Sequence, residues 1–261
     1  MKMNKIQKTV KLLSTEEAKN VYNRVMSLQN EWILRIPGAL PFYTIGVGTV
    51  PDKMDGSTVY VDKLEATNKI LKENFSELYD KVLDFFNKEL GPTRYDSGRA
   101  LPMFMIFSNK DEDKKEIVSV PDINYQFKIH HDDMHQYQED YFGHEYLEHI
   151  TFTLSISTPK RGAGLFVYGE DFVDGACDED DQVFIDISST PHDGGEVNIP
   201  ILASHDWDDP KFIKYYPGSM VYQIGEIYHQ AIIGLDVTSH DDRITLQGVG
   251  VKKDGEWLLY Y

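Results

Sequence analysis

The chain has 261 residues and a formal net charge of −17. That balance excludes a general nucleic-acid or anionic-membrane binder, because both need a basic face. The single cysteine, Cys177, excludes an internal disulfide and fits a reducing cytoplasm. The basic start MKMNKIQKTVKLL has too short an apolar run for a secretory signal, and no stretch approaches the ~18 apolar residues of a membrane span.

The first predicted helix runs from Thr15 to Glu31. Ser14 caps it, and Glu17 three residues on completes a capping box. Ala18, Val21, Tyr22, Val25 and Leu28 form its apolar face. LPFYTIGVGTV then reads as a short strand ending in glycine-rich turns. A second helix is expected from Leu64 to Leu90, stopped by Gly91-Pro92, with Ile70, Leu71, Phe75, Leu78, Val82, Leu83 and Phe86 on its buried face.

From residue 101 the texture changes to short β-branched and aromatic runs separated by Pro, Gly and Asp clusters. The predicted strands are Phe104–Phe107, Glu116–Val120, Tyr125–Asp133, His149–Thr158 and Gly164–Tyr168, then Ser219–Ile224, Tyr228–Leu235, Arg243–Lys252 and Glu256–Tyr261. Segments 169–181 and 188–212 read as loops, and could close as a lid. The expectation is one α+β domain over 1–261, with 1–100 a helical buttress and 101–261 a β-sandwich or jelly-roll core.

A histidine and a carboxylate two residues apart on a strand share a face and can reach one ion, and a distant histidine completes a triad with open positions. His-x-Asp occurs here as His130/Asp132, His131/Asp133 and His240/Asp242, so the pattern alone says little. In NYQFKIHHDD, Tyr125, Phe127 and Ile129 share a face with His131 and Asp133, while the polar face carries His130 and Asp132. Turning the apolar face inward selects His131 and Asp133 and sends Asp132 to water. His240 has no histidine after it. The third ligand is His229, at the start of a returning strand. His192 and His205 lie in Asp/Gly-rich loop sequence, and His144 and His149 stand too near the first pair.

Downstream, Arg243 and Thr245 share a strand face. A guanidinium grips a carboxylate through parallel hydrogen bonds, and a nearby hydroxyl adds another. The alternative partners for Arg243 are Asp241, Asp242 or another acid.

His131-Asp132-Asp133, His229 and Arg243-Ile244-Thr245, in this order, resemble the motif of the 2-oxoglutarate/iron(II) oxygenase superfamily. The Pro217-Gly218 turn and the GAGL run at Gly162–Leu165 match its texture, and the resemblance covers roughly 101–261. It implies a double-stranded β-helix (jelly roll), Fe(II) on His131, Asp133 and His229, 2-oxoglutarate held by Arg243 and Thr245, and O2 as the oxidant. PFYTIGVGTV, KENFSELYDKVL and QIGEIYHQ more loosely resemble small bacterial hydroxylases and radical halogenases of lysine and related free amino acids. In the halogenases glycine or alanine replaces the metal carboxylate. Asp133 at that place implies hydroxylation of a small substrate, a free amino acid such as lysine, with Glu116 and Trp257 as substrate contacts. Two other readings compete: a cupin-like metal dioxygenase that needs no 2-oxoglutarate, and a non-catalytic binding or sensor module. Nothing in the sequence speaks to oligomeric state.

Overall fold

A computed structural model describes residues 5–36, 41–48, 52, 59–108, 132, 148–159, 163–168, 211–225, 227–232 and 241–261. Helix α1 spans Thr15–Ser27. Its capping box forms as expected: the Glu17 amide donates to Ser14 Oγ at 3.2 Å, and the Ser14 amide donates to Glu17 Oε2 at 2.8 Å. The helix stops short of Glu31 because Leu28 leaves helical geometry (φ −103°, ψ 24°), and a 3₁₀ turn takes over at Gln29–Glu31. The Trp32 indole N–H then donates at 3.2 Å to the Val25 carbonyl, which also accepts the Leu28 amide at 3.0 Å.

Helix α2 runs Val59–Leu90, starting before the expected Leu64 and kinked at Phe75 (φ −137°). Leu71, Phe75, Leu78, Val82 and Phe86 are buried as the periodicity requires, while Ile70 and Leu83 sit at the margin of the contact. Gly91 (φ +89°) ends it in the left-handed conformation that glycine adopts without strain.

The strands are β1 Ile6–Lys11, β2 Ile33–Ile36, β3 Phe42–Ile45, β4 Thr93–Tyr95, β5 Met103–Phe107, β6 His149–Ser157 and β7 Gly164–Tyr168. They continue as β8 Lys211–Lys214, β9 Ser219–Ile224, β10 Tyr228–Ile232, β11 Arg243–Lys253 and β12 Glu256–Tyr260. Strands β1, β2 and β4 were not expected from the sequence, and β8 begins inside the expected loop 188–212. The expected strands Glu116–Val120 and Tyr125–Asp133 lie outside the described residues, apart from Asp132.

One sheet has the order β1-β9-β6-β11-β5-β3-β2, with β12 on the far half of β11 and β4 on β12. The other has the order β10-β7-β8. All pairings are antiparallel except β12 with β4. The chain steps from β6 in the first sheet to β7 and β8 in the second, back to β9, across to β10, and back to β11.

Alternation decides what each face of the large sheet does. Ile150, Phe152, Leu154, Ile244 and Leu246 pack with Phe75, Leu78 and Phe86 in the main core, so the helices cover the apolar face. The opposite face carries Thr151, Thr153 and Ser155 on β6 beside Val249, Gln247 and Thr245 on β11, in register. Val221, also on this face, packs with Leu165, Val167 and Tyr215 from the side of the small sheet. The polar face therefore looks into the space between the sheets. Among the described residues, no helix is long and apolar enough to cross a membrane.

Candidate metal and anion site

His229 lies on β10, directly opposite Val167 of β7, and so faces the interior with it. It is 6% exposed. Its Nδ1 stands 2.9 Å from the Ile227 carbonyl, so Nδ1 carries a proton and, in the neutral ring, Nε2 carries the lone pair. Nε2 in turn lies 3.5 Å from Oδ2 of Asp132. The contact is an ion pair when Nε2 is protonated, and the two atoms are fellow ligands when a metal ion stands between them. Two ligands at right angles on one ion, each about 2.1 Å from it, would be about 3.0 Å apart. The observed spacing is near that, so the pair suits a shared metal ion.

Asp132 therefore does not point to water, as the alternation argument expected. That argument assumes a pleat continuing to Asp133, but Asp132 is not in a strand. His130, His131, Asp133 and Glu116 lie outside the described residues.

Arg243 opens β11 opposite Phe107 of β5. It is 1% exposed, and neither Nε nor Nη2 has a hydrogen-bond partner. Among the described residues it makes no ion pair. Asp242, one of its expected rivals for pairing, accepts instead from the Tyr22 hydroxyl at 2.6 Å. The guanidinium lies over the rings of Phe107 and Tyr215, with its carbon 5.5 and 5.7 Å from their centroids. Ring faces attract a cation but leave its in-plane N–H groups unsatisfied. Burial pulls the Arg243 pKa below its ordinary value, and the neighbouring Tyr215 opposes this.

Thr245 is fully buried, and its hydroxyl accepts from Gln247 Nε2 at 3.3 Å, leaving its own proton to donate. Directly opposite on β6, Ser155 is also fully buried, and its Oγ has no partner. Arg243, Thr245 and Ser155 together present donors with no acceptor in a closed place, the condition that a bound carboxylate relieves.

Sequence reasoning missed two tyrosines near Asp132, of which Tyr215 also reaches Arg243 and so joins the two halves. Tyr215 is buried, which raises its pKa. Arg243 and a side-chain hydrogen bond with Thr153 act against that rise, while Asp132 adds to it. Burial likewise pushes the Tyr261 phenol up, Asp132 adds to that, and Arg35 opposes it. The Tyr261 ring rests on Gly48, where an added Cβ would lie 2.6 Å from Cδ1. Arg35 supports that turn. It pairs with the buried Asp52 through both terminal nitrogens and donates to Thr44 Oγ1 at 2.9 Å, and Asp52 accepts the Gly48 amide at 2.9 Å.

Trp257 is not brought to this site. It is 2% exposed and packs in the core on the helix side of the sheet, with Lys252 over its ring. Its place opposite Lys252, on the even face of β11 with Ile244 and Leu246, puts it behind the sheet. Ser155 had a legible signal, since HITFTLSIS alternates strictly between polar and apolar residues. Tyr215, Tyr261 and the Arg35–Asp52 pair are brought in by distant strands and leave no local pattern.

No family model and no curated protein matches the chain. Among solved structures it is similar to the non-heme α-ketoglutarate-dependent epimerase SnoN from nogalamycin biosynthesis. Identity is 12% over 97% of this chain and 82% of that one, with a TM-score of 0.44. SnoN in complex with Fe3+, α-ketoglutarate and nogalamycin RO gives 12% identity, 94% and 78% coverage and a TM-score of 0.43. A novel N-substituted L-amino acid dioxygenase from Burkholderia ambifaria AMMD gives 10% identity, 94% and 91% coverage and a TM-score of 0.35. Likeness this shallow leaves the functional assignment to the side chains of the site.

Proposed function

We propose that the chain is a non-haem iron(II) oxygenase using 2-oxoglutarate and O2, built on a double-stranded β-helix. Within that class, the reading is a hydroxylase of a small substrate, a free amino acid such as lysine. The observation that carries the class is the buried Arg243, without a hydrogen-bond partner for Nε and Nη2, in the same interior as a His229 lone pair aimed at a carboxylate.

His229 and Asp132 supply two metal ligands, and His130, two residues before Asp132, supplies the third by spacing. His131 with Asp133, the pair favoured by simple alternation, is the alternative. Iron(II) held there supplies, with 2-oxoglutarate and O2, oxidation of a C–H bond coupled to loss of carbon dioxide from the oxo-acid. The chain's own residues bind and orient. Arg243, Thr245 and Ser155 hold the far carboxylate of the oxo-acid, and the rings of Phe107 and Tyr215 exclude water from that contact. The Ile227 carbonyl fixes the His229 tautomer, and Tyr261 walls the Asp132 side, propped by Gly48 and the Arg35–Asp52 pair. Thr151, Thr153 and Gln247 are only half-buried, which leaves the cleft between the sheets open for a substrate.

Calorimetric titration with Mn(II), as an unreactive stand-in for iron, tests the ligand set. His229→Ala and Asp132→Asn are each expected to weaken binding more than about 100-fold, beyond the loss typical of outer-shell changes. Asp133→Asn should leave binding nearly unchanged; the reverse pattern returns the role to Asp133, and affinity surviving both His229→Ala and Asp132→Asn refutes the site. Incubation with Fe(II), 2-oxoglutarate and a panel of free amino acids, read by mass spectrometry, should show gain of one oxygen and matching succinate. Turnover without 2-oxoglutarate would point to a cupin-like dioxygenase instead.

A further inference from the structure

At the other end of the polar face, Gln223 on β9 lies directly opposite Gln7 on β1, with Thr151 of β6 next in the row. Gln7 is 9% exposed and Gln223 is 5% exposed. Gln7 Oε1 and Gln223 Nε2 are buried and have no hydrogen-bond partner. Two buried carboxamides side by side, one with an open acceptor and one with an open donor, are costly unless something meets them. One open donor beside one open acceptor is what the assigned orientations give, as does reversing both carboxamides; reversing one alone would leave two open groups of the same kind.

Their position links them to the proposed reaction centre. Gln223 shares its face with Val221, which packs against Val167 and Ile227. β9 ends at Ile224, and β10, which carries His229, begins four residues later. Gln7 and Gln223 thus face the same interior as the His229 side chain.

We infer that Gln7 and Gln223 form a substrate-reading site for a carboxamide edge, an N–H and a C=O side by side, as in a primary amide or a peptide-type group. The site is buried and neutral. A charged head group placed there would lose its hydration without gaining an opposite charge, whereas an amide edge exchanges one donor and one acceptor with the pair. The inference rests on the oxygenase reading for its relation to chemistry, and among free amino acids it favours an amide-bearing side chain over a lysine-like one.

The test is ligand-observed NMR and calorimetry on the full-length, metal-free protein. The probes are L-glutamine and L-asparagine, their isosteric acids L-glutamate and L-aspartate, and glutarate as a separate probe of Arg243. At least one amide is expected to bind at least about tenfold more tightly than its acid, the worth of one good hydrogen bond. Gln7→Met and Gln223→Met should each lower that affinity about tenfold, leave glutarate binding unchanged, and melt no lower than wild type, because an unsatisfied amide has been removed. Amides binding no better than acids, or binding both variants as well as wild type, or variants that melt well below wild type, would overturn the inference. Glutarate binding with no amide binding sinks this inference alone; failure of glutarate to bind wild type sinks the oxygenase reading with it.

Discussion

Replacing Arg243 by methionine tests the anion site most directly, because the expected sign is the reverse of the usual one. A core substitution commonly destabilises. Here the side chain lost is a charge that is 1% exposed and has no partner for Nε or Nη2. Replacing buried ionic groups by apolar ones of similar size is often stabilising by about 1 to 4 kcal/mol. At about 2 to 4 °C per kcal/mol, Arg243→Met without ligand should melt a few degrees above wild type. Glutarate at 100 times its Kd should stabilise the wild type by about 2.7 kcal/mol, a rise of roughly 5 to 10 °C, and should leave the variant unmoved. Scanning calorimetry of metal-free protein with and without glutarate reads both effects. If Arg243→Met instead melts lower by the equivalent of about 3 to 5 kcal/mol, and glutarate moves neither protein, the arginine is half of a structural ion pair and the reasoning fails.

Two further outcomes follow from the frame around the site. A hydrogen bond from Lys81, with those from the Ser14 backbone and side chain, lowers the Glu17 pKa to about 2. A depressed carboxylate stabilises the fold above its unfolded pKa and loses that contribution as pH falls through the folded value. The melting difference between wild type and Glu17→Gln should therefore be present at pH 6 and shrink between about pH 4.5 and pH 2; a difference independent of pH would show that packing, not charge, is involved. Gly218 (φ +86°) sits where an added Cβ would lie 2.2 Å from the Leu13 carbonyl oxygen, and its own carbonyl accepts the Leu12 and Leu13 amides at 2.9 Å. Gly218→Ala should cost more than about 2 kcal/mol in denaturant unfolding, from backbone strain plus displacement of that contact, and a cost below about 0.5 kcal/mol would refute it.

Much of the frame was legible in the sequence because it is set by local rules. The Ser14–Glu17 box, the apolar stripe from Leu71 to Phe86, and the β-branched and aromatic runs of Gly164–Tyr168 and Ser219–Ile224 each follow from neighbours within a few residues. The strand positions of His229 and Arg243 were also legible locally, one near the start of a returning strand and the other sharing a strand face with Thr245. Strands β1 and β4 escaped because they gain their structure from partners distant in the chain, β9 and β12, and β2 because it is a four-residue edge strand.

What the tertiary structure alone decided is which face of a strand is the inside. Periodicity separates two faces but does not say what covers each. The usual assumption turns the apolar face toward a single core and the polar face toward water. In this chain the helices take the apolar face of the large sheet, so Thr151, Thr153, Ser155, Thr245 and Gln247 look into the cleft. That misjudged direction sent Asp132 outward, while Trp257 was expected at the substrate from the resemblance alone. Asp132 meets His229, and Trp257 lies behind the sheet, because docking of helices on sheet, and of one sheet against the other, set those directions.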